Sequence, residues 1–316
     1  MDSPLLAVPD AVAAEFPDVG VAAHYGDPYA EQRALDEAAG LVDRSDLDVL
    51  KITGQDRLGW LNSISTQKLD DLQPGVARET LILSPRGHVE HHFSLVDDGT
   101  AIWMHVEPGE AASALEFLES MRFMMRVEAE DISSGYAVLT VMGPDVKPDV
   151  TDAAAAAMTF GFGTDLIVPR DQIEQIASGL LDQGYRLAGM LAHEALRIAV
   201  HRPRFGTDTD HRTIPHEMGW IESAVHLDKG CYRGQETVAR VHNLGHPPRR
   251  LVMLHLDGSE NKLPAHGEKV HAGESDVGFV GSSARHYELG PIALALVKRT
   301  VPVTDTLSTA GISAAQ

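Results

Sequence analysis

The chain of 316 residues holds one cysteine, Cys231, and that scarcity excludes several kinds of protein at once. A lone thiol cannot build an intrachain disulfide framework, a four-cysteine zinc site or a self-contained four-cysteine cluster. Long apolar runs are also missing: no stretch approaches the roughly 18 residues that a membrane helix needs. Basic residues are few, with 26 Lys and Arg against 46 Asp and Glu, and the formal net charge is −20. Such a surface repels phosphate backbones, so direct nucleic-acid binding is not expected. The start, Met1-Asp2-Ser3-Pro4, lacks a basic segment and is followed by Asp10, Glu15 and Asp18 among apolar residues. It does not read as a signal peptide, and a cytoplasmic location is the expectation. With 43% hydrophobic residues, a chain of this length is expected to fold as two or three subdomains.

The single cysteine sits in the run Lys229-Gly230-Cys231-Tyr232-Arg233-Gly234-Gln235-Glu236, between glycines and among basic side chains. Thiolate reactivity grows beside positive charge or a helix N-terminus, whereas a packing cysteine sits in an apolar segment. Gly234-Gln235-Glu236 opens a predicted helix that continues through Arg240. Between Lys229 and Arg250 there are five basic residues against one acidic, Glu236, so this segment reverses the sign of the chain and would attract a small polyanion. The alternative for Cys231 is a buried, inert thiol in a glycine turn.

Periodicity predicts α+β organisation. Residues 1–30 read as a loose arm ending at Tyr25, followed by a helix over 30–41, a strand over 47–52 and a helix over 55–64. A strand over 78–83 leads to a hairpin of 88–96 and 101–106, then a helix over 110–123 and strands at 126–129 and 136–142. The alanine-rich run 152–158 reads as a link or short helix, and helices follow over 172–183 and 190–200. Pro247-Pro248 marks a boundary, after which short strands at 251–256, 269–271, 277–280 and 291–298 suggest a small barrel. The residues from Thr304 read as frayed. On the strand from His88, period two puts Val89, His91, Phe93 and Leu95 on one face and His88, Glu90 and His92 on the other. One strand rarely completes a ligand set, and no metal site is expected.

The run KGCYRGQE followed by TVAR resembles the signature of the YgfZ family, folate-binding relatives of the glycine-cleavage T-protein. Asp56-Arg57 with Leu61 and Thr66 is similar to that family's N-terminal helix, and Leu83-Ser84-Pro85-Arg86-Gly87 to its following strand and turn. Glu194 to Ile198, Pro203, Gly206 and Ile214-Pro215-His216-Glu217 extend the likeness, and Val277-Gly278 to Ala295 resembles its closing barrel. The resemblance implies a T-protein-like folate-binding region over 1–247, two interwoven α+β subdomains with an internal boundary near 136–150, and a C-terminal β-barrel over 248–316.

It further implies a tetrahydrofolate or derivative as ligand and a factor that supports assembly or repair of iron-sulfur enzymes, including those that modify tRNA. Iron-sulfur client proteins would be partners; nucleic acid and membrane would not. Cys231 and Lys229 would carry the chemistry, with Lys229 and Arg233 lowering the thiol's pKa and Arg240 holding a folate carboxylate. Tyr232, Arg233, Gln235, Glu236, Arg197, Glu217, His91 and Trp60 are the other candidate folate contacts. The T-protein's aspartate pair falls on His91 and His92, and its pterin-reading glutamate and the glycine two residues later on Ala199 and His201. Alanine lacks the paired acceptors a carboxylate offers. These departures argue against aminomethyl transfer and leave open whether the chain is an enzyme. A folate-dependent one-carbon transferase and a non-catalytic, folate-gated adaptor are the alternatives.

Overall fold

The computed structural model describes residues 1–144, 146, 153–260 and 262–316. Residues 145 and 147–150 of the expected internal boundary and Asp152 of the alanine-rich run lie outside them. The chain separates into two compact units: Met1–Ile82, His91–His193 and Asp228–Tyr232 in one, and Leu83–Glu90, Glu194–Leu227 and Arg233–Gln316 in the other.

In chain order the elements up to residue 199 are β1 (Val12–Ala13), β2 (Ala22–His24), α1 (Pro28–Glu37), β3 (Gly40–Asp43), β4 (Asp48–Thr53) and α2 (Arg57–Ile64). Next come β5 (Ala77–Leu83), β6 (Val89–Asp97), β7 (Ala101–Val106), α3 (Ala111–Ser120), β8 (Glu128–Asp131) and β9 (Tyr136–Met142). β10 (Ala156–Phe160), β11 (Gly163–Pro169), α4 (Ile173–Asp182), β12 (Arg186–Ala188) and α5 (Met190–Ala199) follow. Two five-stranded sheets result, ordered β5-β6-β7-β4-β8 and β10-β11-β9-β3-β12.

Alternation along the strands explains how the sheets stack. Leu50 and Ile52 of β4, Phe93 and Leu95 of β6, and Ile102 and Met104 of β7 join Trp60, Leu61 and Ile64 of α2 and Ala114 and Leu118 of α3 in one core. The opposite faces contribute Val49, Val96 and Trp103, which meet Val138 and Ile167 of the second sheet. In turn Leu139, Val141, Leu166 and Val168 pack against Ile173, Ile176 and Leu180 of α4. The inner strands β7 and β9 are therefore buried on both faces and read as nearly continuous apolar runs.

The fold corrects two sequence expectations in this unit. The first 30 residues are not a loose arm: Leu5 is buried in the second sheet's core, and β1 pairs with β2. Asp27 caps α1 by accepting from the N–H groups of Tyr29 and Ala30. The alanine-rich run ends in a strand, because Ala156–Phe160 pairs in register with β11 and buries Met158.

The second unit is built on the barrel strands β13 (Arg249–Leu256), β14 (Lys269–Ala272), β15 (Ser275–His286), β16 (Gly290–Lys298), β17 (Leu307–Thr309) and β18 (Ile312–Ala315), preceded by α6 (Trp220–Ser223) and α7 (Gln235–Leu244). They close in the order β13-β16-β15-β14-β17-β18. Ala293, Ala295 and Val297 point inward, while Ile292 and Leu294 point outward onto Ala195 and Ile198 of α5. The final residues are not frayed. Ala310 at φ 50 and Gly311 at φ 79 form the two-residue turn that joins β17 to β18, and Leu307, Ile312 and Ala314 bury themselves in the barrel.

Candidate functional site

Cys231 is exposed, so the inert, buried thiol is ruled out. Its neighbours are held tightly. Lys229 is 8% exposed and donates its three ammonium hydrogens to the carbonyl oxygens of Asn62, Ser65 and Gln67, the last two at 2.7 Å. Those carbonyls lie at the C-terminal end of α2 and just beyond it. Burial pulls the Lys229 ammonium down to about 8, against the favourable charge of Asp70. Tyr232 is also buried; its ring lies 5.3 Å from the Lys229 nitrogen, and burial pushes its phenol up to about 12. Gly230 and Cys231 thus form an exposed two-residue tip between two buried anchors.

This geometry changes the role of the lysine. Its donors are matched one to one with backbone acceptors, so the ammonium ties the cysteine turn to the chain leaving α2.

His91 and His92 point to opposite faces of β6, as period two requires. His91 is buried, lies 6.0 Å from the rings of Phe93 and Phe117, and has its Nδ1 3.7 Å from a Glu110 carboxylate oxygen. That nitrogen has no hydrogen-bond partner among the described residues. The imidazole holds the Glu110 carboxyl below its ordinary range. His92 Nε2 lies 3.6 Å from Glu79. Trp60 is not a stacking surface: it is 2% exposed within the core, and its indole N–H donates to the Met121 carbonyl at 3.0 Å.

In the second unit, Gly234 at φ 81 starts α7 in the left-handed region. A Cβ there would lie 2.7 Å from the Ser84 carbonyl oxygen, and a Cβ on Gly87 would lie 2.6 Å from that of Thr237. The turn after β5 and the start of α7 therefore pack backbone to backbone, which brings two separate sequence motifs together. Arg233 donates to Glu90 at 2.9 Å, and both side chains remain about one-third exposed. Gln235 is half-buried in the first turn of α7. Arg240 pairs with Glu236 one turn earlier at 3.0 Å, and both are largely exposed.

Arg197 and Glu217 are committed to the protein. Arg197 uses all five of its N–H donors: on both oxygens of Glu194, on Asp208, on the Ser282 hydroxyl and on the Arg202 carbonyl. Burial works against its charge, but Glu194 and Asp208 outweigh that and hold the guanidinium above its ordinary pKa. Glu217 accepts from Arg249 through both oxygens and from the Ile214 N–H. Arg249 also grips Asp210 at 2.6 and 3.0 Å.

The local excess of positive charge counted along the sequence is therefore largely cancelled. Glu90 faces Arg233, Glu236 faces Arg240, and Asp210 and Glu217 face Arg249. Three of these four carboxylates come from outside the counted segment. Arg233 and Arg240, the most exposed of these cations, keep side-chain surface that could meet an anion.

Comparison with known proteins gives the same architecture. The GCVT N-terminal domain matches residues 11–164, and the glycine cleavage T-protein C-terminal barrel domain matches residues 249–313. An aminomethyltransferase of Nostoc sp. is 26% identical over 302 residues, covering 84% of this chain and 79% of that protein. A putative chloroplastic transferase of Arabidopsis thaliana is 25% identical over 315 residues, covering 87% of this chain and 70% of that protein. The crystal structure of the glycine cleavage system aminomethyltransferase T from Bartonella henselae superposes with a TM-score of 0.82 at 18% identity, covering 98% of this chain and 94% of the other. With the α+β sheets, the closed barrel and both family domains in one polypeptide, the chain belongs to the glycine-cleavage T-protein-like family.

Proposed function

We propose that this protein binds a reduced folate and, like YgfZ-type factors, supports iron-sulfur enzymes through the thiol of Cys231. The observation that carries this reading is the presentation of the sulfur: the chain's one cysteine is exposed on a short tip whose flanking residues are both buried and anchored. A thiol kept only for packing would be inside. His91 and His92, where the resemblance places the carboxylates of aminomethyl transfer, support the same reading.

The structure offers groups that fit a folate. Arg233 and Arg240 are partly exposed cations suited to the carboxylates of a glutamate tail. A bound tetrahydrofolate would supply a one-carbon carrier, and the protein's part is to hold and orient it. Trp60, Arg197 and Glu217 are excluded from direct contact by the partners they already hold. Tetrahydrofolate titration of the wild type and of Arg240→Ala tests the ligand class. Saturable binding that weakens in the variant supports the proposal, and no saturable binding to the wild type overturns it.

The aminomethyltransferase relatives, one matching 84% of the chain, favour a second reading as a folate-dependent one-carbon transferase. Conversion of tetrahydrofolate to a one-carbon adduct in the presence of an amine donor would select that reading over the first.

A further inference from the structure

The clamp on Lys229 extends the proposed function from which residue acts to how it is held. We propose that Lys229 is a positioning residue for Cys231: by seating its ammonium on three backbone carbonyls it fixes the cysteine tip to the chain leaving α2, and it acts on the thiol through place rather than charge. The inference rests on the reading that Cys231 carries the chemistry.

The seat is itself rigid. Ser65 donates its N–H and its hydroxyl to the Leu61 carbonyl. The Thr66 N–H donates to the Leu81 carbonyl, and the Thr66 hydroxyl accepts from the Leu81 N–H. Gln67 N–H donates to the Thr80 hydroxyl, and Leu69 N–H to the Asn62 side chain. The segment that supplies the three carbonyls is thereby laced to β5 on one side and to α2 on the other. An ammonium has three donors, so three acceptors saturate it and also relieve carbonyls that a helix end leaves unpaired. The charged group acting on it from the segment after α2 is Asp70, and the Tyr232 ring lies 5.3 Å from its nitrogen. A second buried anchor, Tyr232, closes the far side of the tip, so the sulfur's location depends on both flanks.

Because the chain has one cysteine, labelling with 15N-cysteine gives a single amide resonance at the site. In the wild type it should be one sharp line with an order parameter of about 0.85, the value of rigid backbone. In Lys229→Met, which keeps the stem and removes the donors, the line should broaden or split and the order parameter fall below about 0.6. Support of iron-sulfur enzymes should fall at least about tenfold, since small misplacements of a reacting group cost that much or more. The pH midpoint of iodoacetamide alkylation should stay where it is.

A rigid Cys231 amide in Lys229→Met, or a midpoint displaced by a full pH unit with the amide still rigid, overturns the inference. Should the methionine variant not fold, the unaltered chain carries the test. The Lys229 ammonium hydrogens must be visible in a 15N spectrum near pH 7, where exposed lysines lose theirs to exchange, and their absence overturns the clamp. A Cys231→Ala variant that retained full support would sink the proposed function and leave the clamp untouched.

Discussion

Replacing Arg197 separates a ligand contact from a structural hub. In the structure Arg197 is 3% exposed, and its guanidinium bridges Glu194 at 2.6 and 2.8 Å, Asp208 at 2.8 Å and the Ser282 hydroxyl at 2.6 Å. Arg197→Met leaves Asp208, whose side chain is fully buried, without its cation, and breaking a buried pair in this way costs about 3–5 kcal/mol. Asp208 keeps the Ser282 hydroxyl at 2.7 Å and the Arg204 N–H at 2.8 Å, which favours the lower end, about 3 kcal/mol. With a urea dependence of about 3 kcal/mol per molar, the midpoint should fall by about 1 M. Equilibrium unfolding followed by circular dichroism and by tryptophan emission, with coincident transitions, measures it. Arg197→Lys keeps the charge with three donors in place of five and should lose less. A loss below about 1 kcal/mol, together with a tenfold weaker folate affinity, would refute the reasoning and return Arg197 to the ligand site.

Other outcomes follow from the same geometry. Trp60→Phe should leave tetrahydrofolate affinity unchanged and cost about 1–2 kcal/mol, because the Met121 carbonyl loses its donor; a tenfold affinity loss in the titration would show that the ring touches ligand. Gly234→Ala combines a left-handed φ with a Cβ 2.7 Å from the Ser84 oxygen, so a loss of at least about 2 kcal/mol is expected in the unfolding assay, and wild-type stability would contradict the packing. Burial alone would raise the Asp210 pKa, but the hydrogen bonds and charge of Arg249 hold it well below the carboxylate range. A depressed pKa stabilises the fold above the unfolded value near about 4, and that contribution fades as pH drops further. The stability gap between wild type and Asp210→Asn should therefore shrink between about pH 4 and pH 2, and a constant gap would refute the pairing.

Much of the secondary structure could be read from period alone. The hairpin of β6 and β7 and the helix α4 matched because their apolar spacing is strong, while α2 matched although its apolar residues are spread around the helix. Other elements could not be read this way. Ala156–Phe160 forms a strand although alanine favours helices, since pairing with β11 decides it. The hairpin of β17 and β18 rests on seven strand residues joined by the two-residue Ala310-Gly311 turn, and its alternation becomes visible only beside the barrel.

The site was legible in its chemistry and less so in its wiring. Cys231 stood out by its solitude among basic residues, and it proved exposed. The partners of the neighbouring cations did not stand out. Arg233 finds Glu90, 143 positions away, and Lys229 finds carbonyl oxygens of the backbone, which leave no trace in side-chain identity. Counting charge along a segment therefore overstated its positive character, because Glu90, Asp210 and Glu217 arrive through the fold.

The most direct measurement is the activity of iron-sulfur enzymes in cells that carry Cys231→Ser in place of the wild type, with folding and tetrahydrofolate affinity of the purified variant measured alongside. The account predicts a folded variant with unchanged affinity and failed enzyme support. Full support by that variant would contradict it.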